Sequence, residues 1–233
     1  MNIKEKIIDY CVKNRISTTE VADALGKKGV YDGIKPMIQG KYCVGEINTV
    51  FAGFKSNYQI HEKIREIKDG SIVMIFTHNC ENRAVIGDLI SKFLILYRGA
   101  KAVIVDGLVR DIASIKRENF PVWSKGYTPL GCHNRKTELF PLEKQKEIEE
   151  SYNGAIAVCD DGGVTIIKNH FINQSTLDNL AKIEMQEDIW FYCLDTLKWD
   201  TKQIVCDKKY LTQKDLLPKA YLKSLEELKK PLD

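Results

Sequence analysis

The stretch Val103–Ile112, VIVDGLVRDI, decides how the chain is read. Val103, Ile104 and Val105 are β-branched and apolar, the composition of a strand buried on both faces. Asp106-Gly107 interrupts the run, and after a short hop Arg110 and Asp111 stand side by side. A buried strand thus delivers two opposite charges to one rim. One explanation is local: an ordinary ion pair, or Asp111 capping a helix that starts at Ile112. The other is a ligand clamp. In α/β sheets, ligands bind beyond the carboxyl ends of the strands. Arginine offers a planar fork of donors to a carboxylate. Aspartate is a hard oxygen ligand suited to Mg²⁺ or Mn²⁺. An anion held by Arg110 and bridged to Asp111 through a divalent metal would use both.

Working outward, SIVMIFT (71–77), KAVIVDG (101–107) and FPVWSKG (120–126) read as strands. Between them GDLISKFLILYRG (87–99) reads as a helix, with Asp88 placed to cap its start and Gly99 just past its end. IASIKREN (112–119) is a short helix. Strand–helix–strand–helix–strand is the grammar of α/β layers. YCVGEINTVFAG (42–53) adds a strand and EKIREIKDG (62–70) a short helix. At the N-terminus, IKEKIIDYCVKN (3–14) sets Ile3, Ile7, Tyr10 and Cys11 on one helical face. STTEVADALG (17–26) carries a Ser17/Glu20 capping box and stops at Gly26. AIAVCDDGGVTIIK (155–168) is a hairpin around Asp-Gly-Gly. Asn173 to Leu197 is one long helix whose apolar stripe ends in Trp190, Phe191 and Tyr192, with Trp199 beyond it. Residues 200–233 are rich in Lys and Leu, with a helix expected at 215–230. The expected organisation is a core with N-terminal helices over 1–170, and a C-terminal helix and tail over 171–233, packed on the core or on a neighbouring subunit.

Composition narrows the function. The chain has 233 residues, 44% of them hydrophobic, enough for one large domain with a sizeable core. Its formal net charge of +3, with both signs interspersed, offers no basic field of the size nucleic acid needs. Seven cysteines, an odd number without CxxC, read as reduced thiols of a cytoplasmic protein rather than a disulfide framework. MNIKEKIIDY lacks the apolar stretch of a signal peptide, and no run approaches the roughly 20 apolar residues of a membrane span. A soluble, cytoplasmic chain is expected.

Gly87-Asp88 is the second chemical element. A helix start leaves the N–H groups of Leu89 and Ile90 without partners, and these can hold a carboxylate. Asp88 beside them could reach a metal directly or through its water shell. The four histidines, His61, His78, His133 and His170, show no metal-ligand spacing. Each is expected in a surface or supporting role, with His78, just after a strand, the one placed for a pocket rim. GxGxxG, P-loop and GxSxG motifs are absent, and no lysine stands in an evidently apolar site for a Schiff base.

The order of these segments resembles the RraA-like family, which includes the divalent-metal aldolases for 4-hydroxy-4-methyl-2-oxoglutarate and 4-carboxy-4-hydroxy-2-oxoadipate and the regulator of ribonuclease activity A. The stretches that carry it are STTEVADALGKKGVYDGIKPM, VGEINTV, NRAVIGDLISKFLILYRGAKAVIVDGLVRD, FPVWSKGYTP and GAIAVCDDGGVTII, over about residues 15–170. VDGLVRD with an upstream GD is the most specific part. The resemblance implies an α/β fold, a three-layer β/β/α swivelling-type domain with flanking N-terminal helices and a long C-terminal helix. It also implies a homotrimer or a hexamer with active sites between subunits.

Carried over by position, Arg110 would hold a keto acid, Asp111 would ligate Mg²⁺ or Mn²⁺, and Asp88 would hold metal-bound water. The amides of Leu89 and Ile90, following Gly87, would take the substrate carboxylate. Glu187, with Glu184 behind it, would reach the site from a neighbour's C-terminal helix. The implied function is a divalent-metal-dependent lyase that cleaves a 4-hydroxy-2-oxo acid or decarboxylates oxaloacetate, releasing pyruvate. The alternatives are a non-catalytic regulator that binds a ribonuclease or another protein, and a lyase or tautomerase on a different oxo acid. The chain departs from the family pattern in three places. Asp88 and Arg110 are separated by 21 residues, Leu89 to Val109, one more than is usual. Ser114 stands where active lyases often carry an acid. The segment 140–153 lacks an expected Gly-Gly turn.

Overall fold

The computed structural model describes residues 1–228. Helices α1 (Ile3–Asn14) and α2 (Thr18–Ala24) open the chain, each started by a reciprocal capping box, Asn2 with Glu5 and Ser17 with Glu20. Gly26, at φ +70°, turns the chain out of α2, as a glycine there should. There follow β1 (Lys35–Pro36), β2 (Cys43–Gly53), α3 (Tyr58–Lys63), β3 (Ile72–His78) and β4 (Ala84–Ile86). Helix α4 (Asp88–Lys92) runs on as a π-helical turn over Phe93–Tyr97. Then come β5 (Ala102–Val109), α5 (Ile112–Arg117), β6 (Val122–Tyr127), α6 (Leu142–Tyr152), the hairpin β7 (Ile156–Asp160) and β8 (Gly163–Ile167), α7 (Gln174–Asp195) and α8 (Lys219–Leu228).

The strands hydrogen-bond in the order β1-β6-β5-β3-β2-β7-β8, with β4 added beside β5. The β2, β3, β5 and β6 neighbours are parallel. Strand β2 is long enough to serve two partners: Cys43–Glu46 pairs antiparallel with β7, and Ile47–Gly53 pairs parallel with β3. The hairpin thereby folds over the parallel sheet instead of extending it.

Side-chain alternation along the strands separates three cores. Val73, Ile75, Val103 and Val105 face Ile60, Ile90, Leu94 and Ile115 of the helices on one side. Ile72, Met74, Ile104 and Trp123 face Ala157, Cys159, Val164 and Ile166 of the hairpin on the other. The outer face of the hairpin, Ile156, Val158 and Ile167, is covered by Ile7, Cys11, Val21 and Leu180 from α1, α2 and α7. Helices, parallel sheet and hairpin make the expected three-layer β/β/α domain, and the N-terminal helices with α7 flank it.

Several elements differ from expectation. Strand β5 does not stop at Asp106-Gly107 but continues to Val109, with an irregularity against β6 between Val105 and Leu108. Gly107 is required there because a Cβ would come within 2.7 Å of Thr77 Cγ2. Helix α3 begins at Tyr58, ahead of the expected 62. Strands β1 and β4 are too short to show alternation, and α6 buries no residue, so none of the three has a sequence periodicity to announce it. The tail folds back on its own chain: Ile189 and Cys193 of α7 pack with Trp199, Ile204, Tyr210, Leu217 and Leu225. Its helix starts only after Pro218, a residue suited to a helix start. Residues 229 and 230 of the expected helix lie outside the described residues. Among the described residues, no helix is long and apolar enough to cross a membrane.

Trp123 joins two layers, fully buried in the inter-sheet core with its indole N–H donated to the Asp160 carbonyl at 2.9 Å. Trp123→Ala is expected to cost about 3–5 kcal/mol in urea denaturation followed by circular dichroism. Trp123→Phe, which keeps a ring but strands the carbonyl, should cost about 1–3 kcal/mol.

Candidate active site

Strand β3 pairs with β5 only as far as Asp106, and β4 then takes the place beside β5, pairing Ala84 with Leu108 and Ile86 with Val109. Two parallel strands therefore end side by side. One runs into Gly87-Asp88 and α4, the other into Arg110-Asp111 and α5. The Arg110 N–H, donated to the Ile86 carbonyl at 3.0 Å, locks the two ends together.

Asp111 occupies the N-cap position of α5 but makes no side-chain cap hydrogen bond, which corrects the capping explanation. Its backbone is left-handed, φ 59° and ψ 36°, a conformation that costs an L-residue roughly 1–2 kcal/mol and that aspartate tolerates better than most. The turn sends its carboxylate back across the rim. Oδ2 accepts the Asp88 N–H at 3.3 Å and lies 3.4 Å from Arg110 Nε. The ion-pair explanation is thus also realised, but with both side chains 49% and 38% exposed it contributes little to stability.

Asp88 is the first helical residue of α4 and Gly87 its N-cap, so Asp88 does not cap the helix as expected. A Cβ at Gly87 would lie 2.2 Å from Asp111 Oδ2 and 3.0 Å from Arg110 Cγ. On the opposite side, a Cβ at Gly131 would lie 2.5 Å from Arg110 Nη1. Two glycines thus bracket the Arg110 side chain. The first turn of a helix leaves its amides without intrahelical acceptors. That of Asp88 is taken by Asp111, and Leu89 and Ile90 stand in the cleft wall. The cleft, about 80 Å³ in volume, brings together Gly87, Asp88, Leu89, Ile90, Arg110 and Asp111, the six residues of this chain expected there.

Asn57, His61, Gly131, Cys132 and Asn134 also line it and were not anticipated. His61 rides on α3, whose start the periodicity placed four residues late, and the segment 131–134 belongs to a loop without a pattern. His78 packs instead between the rings of Phe54 and Phe140, away from the rim it was expected to line. The extra residue between Asp88 and Arg110 has a structural counterpart in the π-helical turn, where Arg98 N–H reaches back five residues to the Phe93 carbonyl at 3.0 Å. Such a turn takes up one residue more than an α-turn, and Asp88 lines the cleft. Ser114 is not in the cleft wall; its hydroxyl accepts from Arg117 at 3.3 Å.

Glu184 and Glu187 lie on α7, apart from this chain's own cleft. Glu184 accepts the Tyr10 hydroxyl, and Glu187 faces Glu20 and Asp23 of α2. Among the described residues, no group of three or more His, Cys, Asp or Glu side chains gathers to cage a metal. The rim offers two neighbouring carboxylates, Asp111 and Asp88. That donor set suits Mg²⁺ or Mn²⁺, which bind through one or two carboxylates and retain several waters, better than it suits a zinc cage.

Parallel strands ending in a charged cleft, under a β/β/α sandwich, define a small α/β domain with a candidate site at the strand termini. The chain belongs to the RraA-like family (Aldolase/RraA), whose profile matches residues 18–172. A protein of Halalkalibacterium halodurans, provisionally named 4-hydroxy-4-methyl-2-oxoglutarate aldolase, is 32% identical over 126 residues, which are 52% of this chain and 58% of that one. An uncharacterised protein of Pseudomonas syringae superposes with a TM-score of 0.67 at 24% identity, over 82% of this chain and 89% of that one. Streptomyces coelicolor RraAS2, described as an unusual member of the RNase ES inhibitor RraA family, gives a TM-score of 0.63 at 19% identity, over 79% and 96%. At those identities the structural likeness speaks for the fold.

Burial, then the carboxylates of Glu20, Asp23 and Asp188, raise the pKa of Glu187. A carboxyl with a raised folded pKa opposes folding once ionised, and that cost vanishes at pH below its unfolded value of roughly 4.3. Glu187→Gln is expected to stabilise the fold slightly at pH 7, by about 0.5 kcal/mol or less given its exposure, and to leave stability unchanged at low pH. Scanning calorimetry at the two pH values checks this.

Proposed function

We propose that the chain is a divalent-metal-dependent carbon–carbon lyase that releases pyruvate, by retro-aldol cleavage of a 4-hydroxy-2-oxo acid or by decarboxylation of oxaloacetate. The observation that carries this is the convergence, in one cleft, of the Arg110 guanidinium, the Asp111 and Asp88 carboxylates and the first-turn amides of Leu89 and Ile90. The provisional aldolase name of the Halalkalibacterium relative supports the same class. The Leu89 and Ile90 amides hold the substrate carboxylate at the start of α4. Arg110, kept at the rim by Gly87 and Gly131, places positive charge at the C2 oxygen, where the electrons of the breaking C3–C4 bond arrive. Bound beside Asp111 and Asp88, Mg²⁺ or Mn²⁺ would supply Lewis acidity at that oxygen. Asp88 holds the water that takes the C4 hydroxyl proton and returns one to C3 of the product. Glu187 of a neighbouring copy would complete the site in a homotrimer or hexamer.

Purified protein with Mg²⁺ or Mn²⁺ is expected to release pyruvate from oxaloacetate or a 4-hydroxy-2-oxo acid, measured by coupled reduction with lactate dehydrogenase. Arg110→Ala should lower kcat/KM by about 100-fold or more. Gly87→Ala should fold normally, because its φ of −136° accepts any L-residue, yet lose about 100-fold by displacing Asp111. Absence of pyruvate from every such substrate would sink the proposal. It would favour a non-catalytic regulator, the second reading, which the likeness to RraAS2 keeps in view. Recovery of a ribonuclease by pull-down would then be the expected result.

A further inference from the structure

We propose that Cys80 and Cys132 form a reversible thiol–disulfide site coupled to the Arg110 cleft. All seven cysteines are free thiols, and these two, far apart in sequence, stand on segments that backbone hydrogen bonds hold side by side; the Cys80 thiol is donated to the His78 carbonyl at 3.6 Å. Cys80 is buried in the turn between β3 and β4, flanked by Asn79 and Glu81, both at φ 51°. The Arg83 N–H closes that turn on the Cys80 carbonyl at 3.1 Å. Cys132, half-buried, follows β6 and lines the cleft.

The backbone holds the two segments in register. The Cys132 N–H is donated to the Ala84 carbonyl at 3.0 Å, and the His133 N–H to the Lys55 carbonyl at 2.8 Å. The Lys55 N–H in turn reaches the Asn79 carbonyl at 3.1 Å. Residues 79–84 and 131–133 are therefore zipped together through Lys55. The neighbouring Cys132 thiol holds the Cys80 thiol below the usual thiol range against the effect of burial, while Cys80 and burial raise Cys132. One thiolate facing one thiol is the arrangement that disulfide formation uses.

With hydrogen peroxide as oxidant, the atoms balance. The Cys80 thiolate attacks peroxide oxygen; the S–O bond forms, the O–O bond breaks and hydroxide leaves. That hydroxide takes the Cys132 proton and becomes water. The Cys132 thiolate then attacks the Cys80 sulfenyl sulfur; the S–S bond forms, the S–O bond breaks and the second hydroxide leaves, protonated from solvent. Two thiols and one hydrogen peroxide give one disulfide and two waters, and a dithiol returns the disulfide to two thiols by exchange, becoming a disulfide itself. The link to the cleft is Gly131, adjacent to Cys132, whose missing Cβ would lie 2.5 Å from Arg110 Nη1. Drawing Cys132 onto Cys80 moves the wall against which Arg110 rests. The effect on pyruvate release rests on the lyase proposal; the disulfide and the movement of the wall do not.

The test treats the full chain with hydrogen peroxide, blocks remaining thiols, and maps peptides by mass. The expected result is a Cys80–Cys132 linkage that dithiothreitol reverses and that Cys80→Ser abolishes. Hydrogen exchange should change at residues 110 and 131–133 on oxidation of the wild type and not of C80S. Oxidation should lower pyruvate release by about tenfold in the wild type and leave C80S within about twofold of its own reduced rate. Both thiols remaining open to alkylation, or a linkage to other cysteines, would overturn the proposal. So would a Cys80–Cys132 bond that leaves exchange at 110 and 131–133 unchanged. A chain with no lyase activity still gives the mass and exchange results, so the two proposals fail separately.

Discussion

Burial of β5 on both faces is the constraint from which the rest of the architecture follows. Val103 and Val105 are committed to the helix side and Ile104 to the hairpin side, so the strand has no solvated face on which to carry charge. Asp106, the acid inside it, is paired with Lys125 of the adjacent strand, as a partly buried charge must be. Other charges are pushed to the end of the strand. Arg110 and Asp111 come where pairing stops, and the parallel alignment of β4 puts Gly87 and Asp88 at the same level. The charges sit at a rim because the layers leave them no other place.

The layers themselves were legible because their signals are local. IVMIF within SIVMIFT, and VIV, are unbroken apolar runs of the length and β-branched composition that doubly covered strands have. Ser17 with Glu20, and Gly26 beyond them, mark α2 by cap chemistry that needs no tertiary contact. The opposite cleft wall was illegible for the complementary reason. Asn57, His61, Gly131 and Asn134 come from α3 and from the loop after β6, and only the folded backbone brings them to Arg110. A glycine whose purpose is to leave room for a side chain many residues away has no neighbour in sequence that reveals it. Asp106-Gly107 misled for a related reason. The dipeptide favours a turn, but here Gly107 answers a close approach by Thr77 within a continuous strand.

The candidate site residues were legible by type, whereas their geometry was not. An Arg-Asp pair before a short helix reads equally well as a cap, an ion pair or a clamp. What separates these is a backbone angle: the left-handed turn at Asp111 withholds its carboxylate from α5 and presents it to the start of α4. The π-helical turn likewise absorbs an added residue without moving Asp88 from the rim, and no residue type in FLILY announces it.

The weakness of the Arg110–Asp111 contact has a functional side. A tight, buried ion pair would resist exchange, because removing one partner leaves an uncompensated charge, at a cost of about 3–5 kcal/mol. At 3.4 Å and half exposed, this pair is worth little, and an incoming anion can take Arg110 while Asp111 retains the Asp88 amide. Strain and glycine space hold the two groups in position, while their mutual attraction does not lock them to each other. That division, position fixed by backbone and pairing left loose, is what a rim needs if it is to bind a charged ligand and release it.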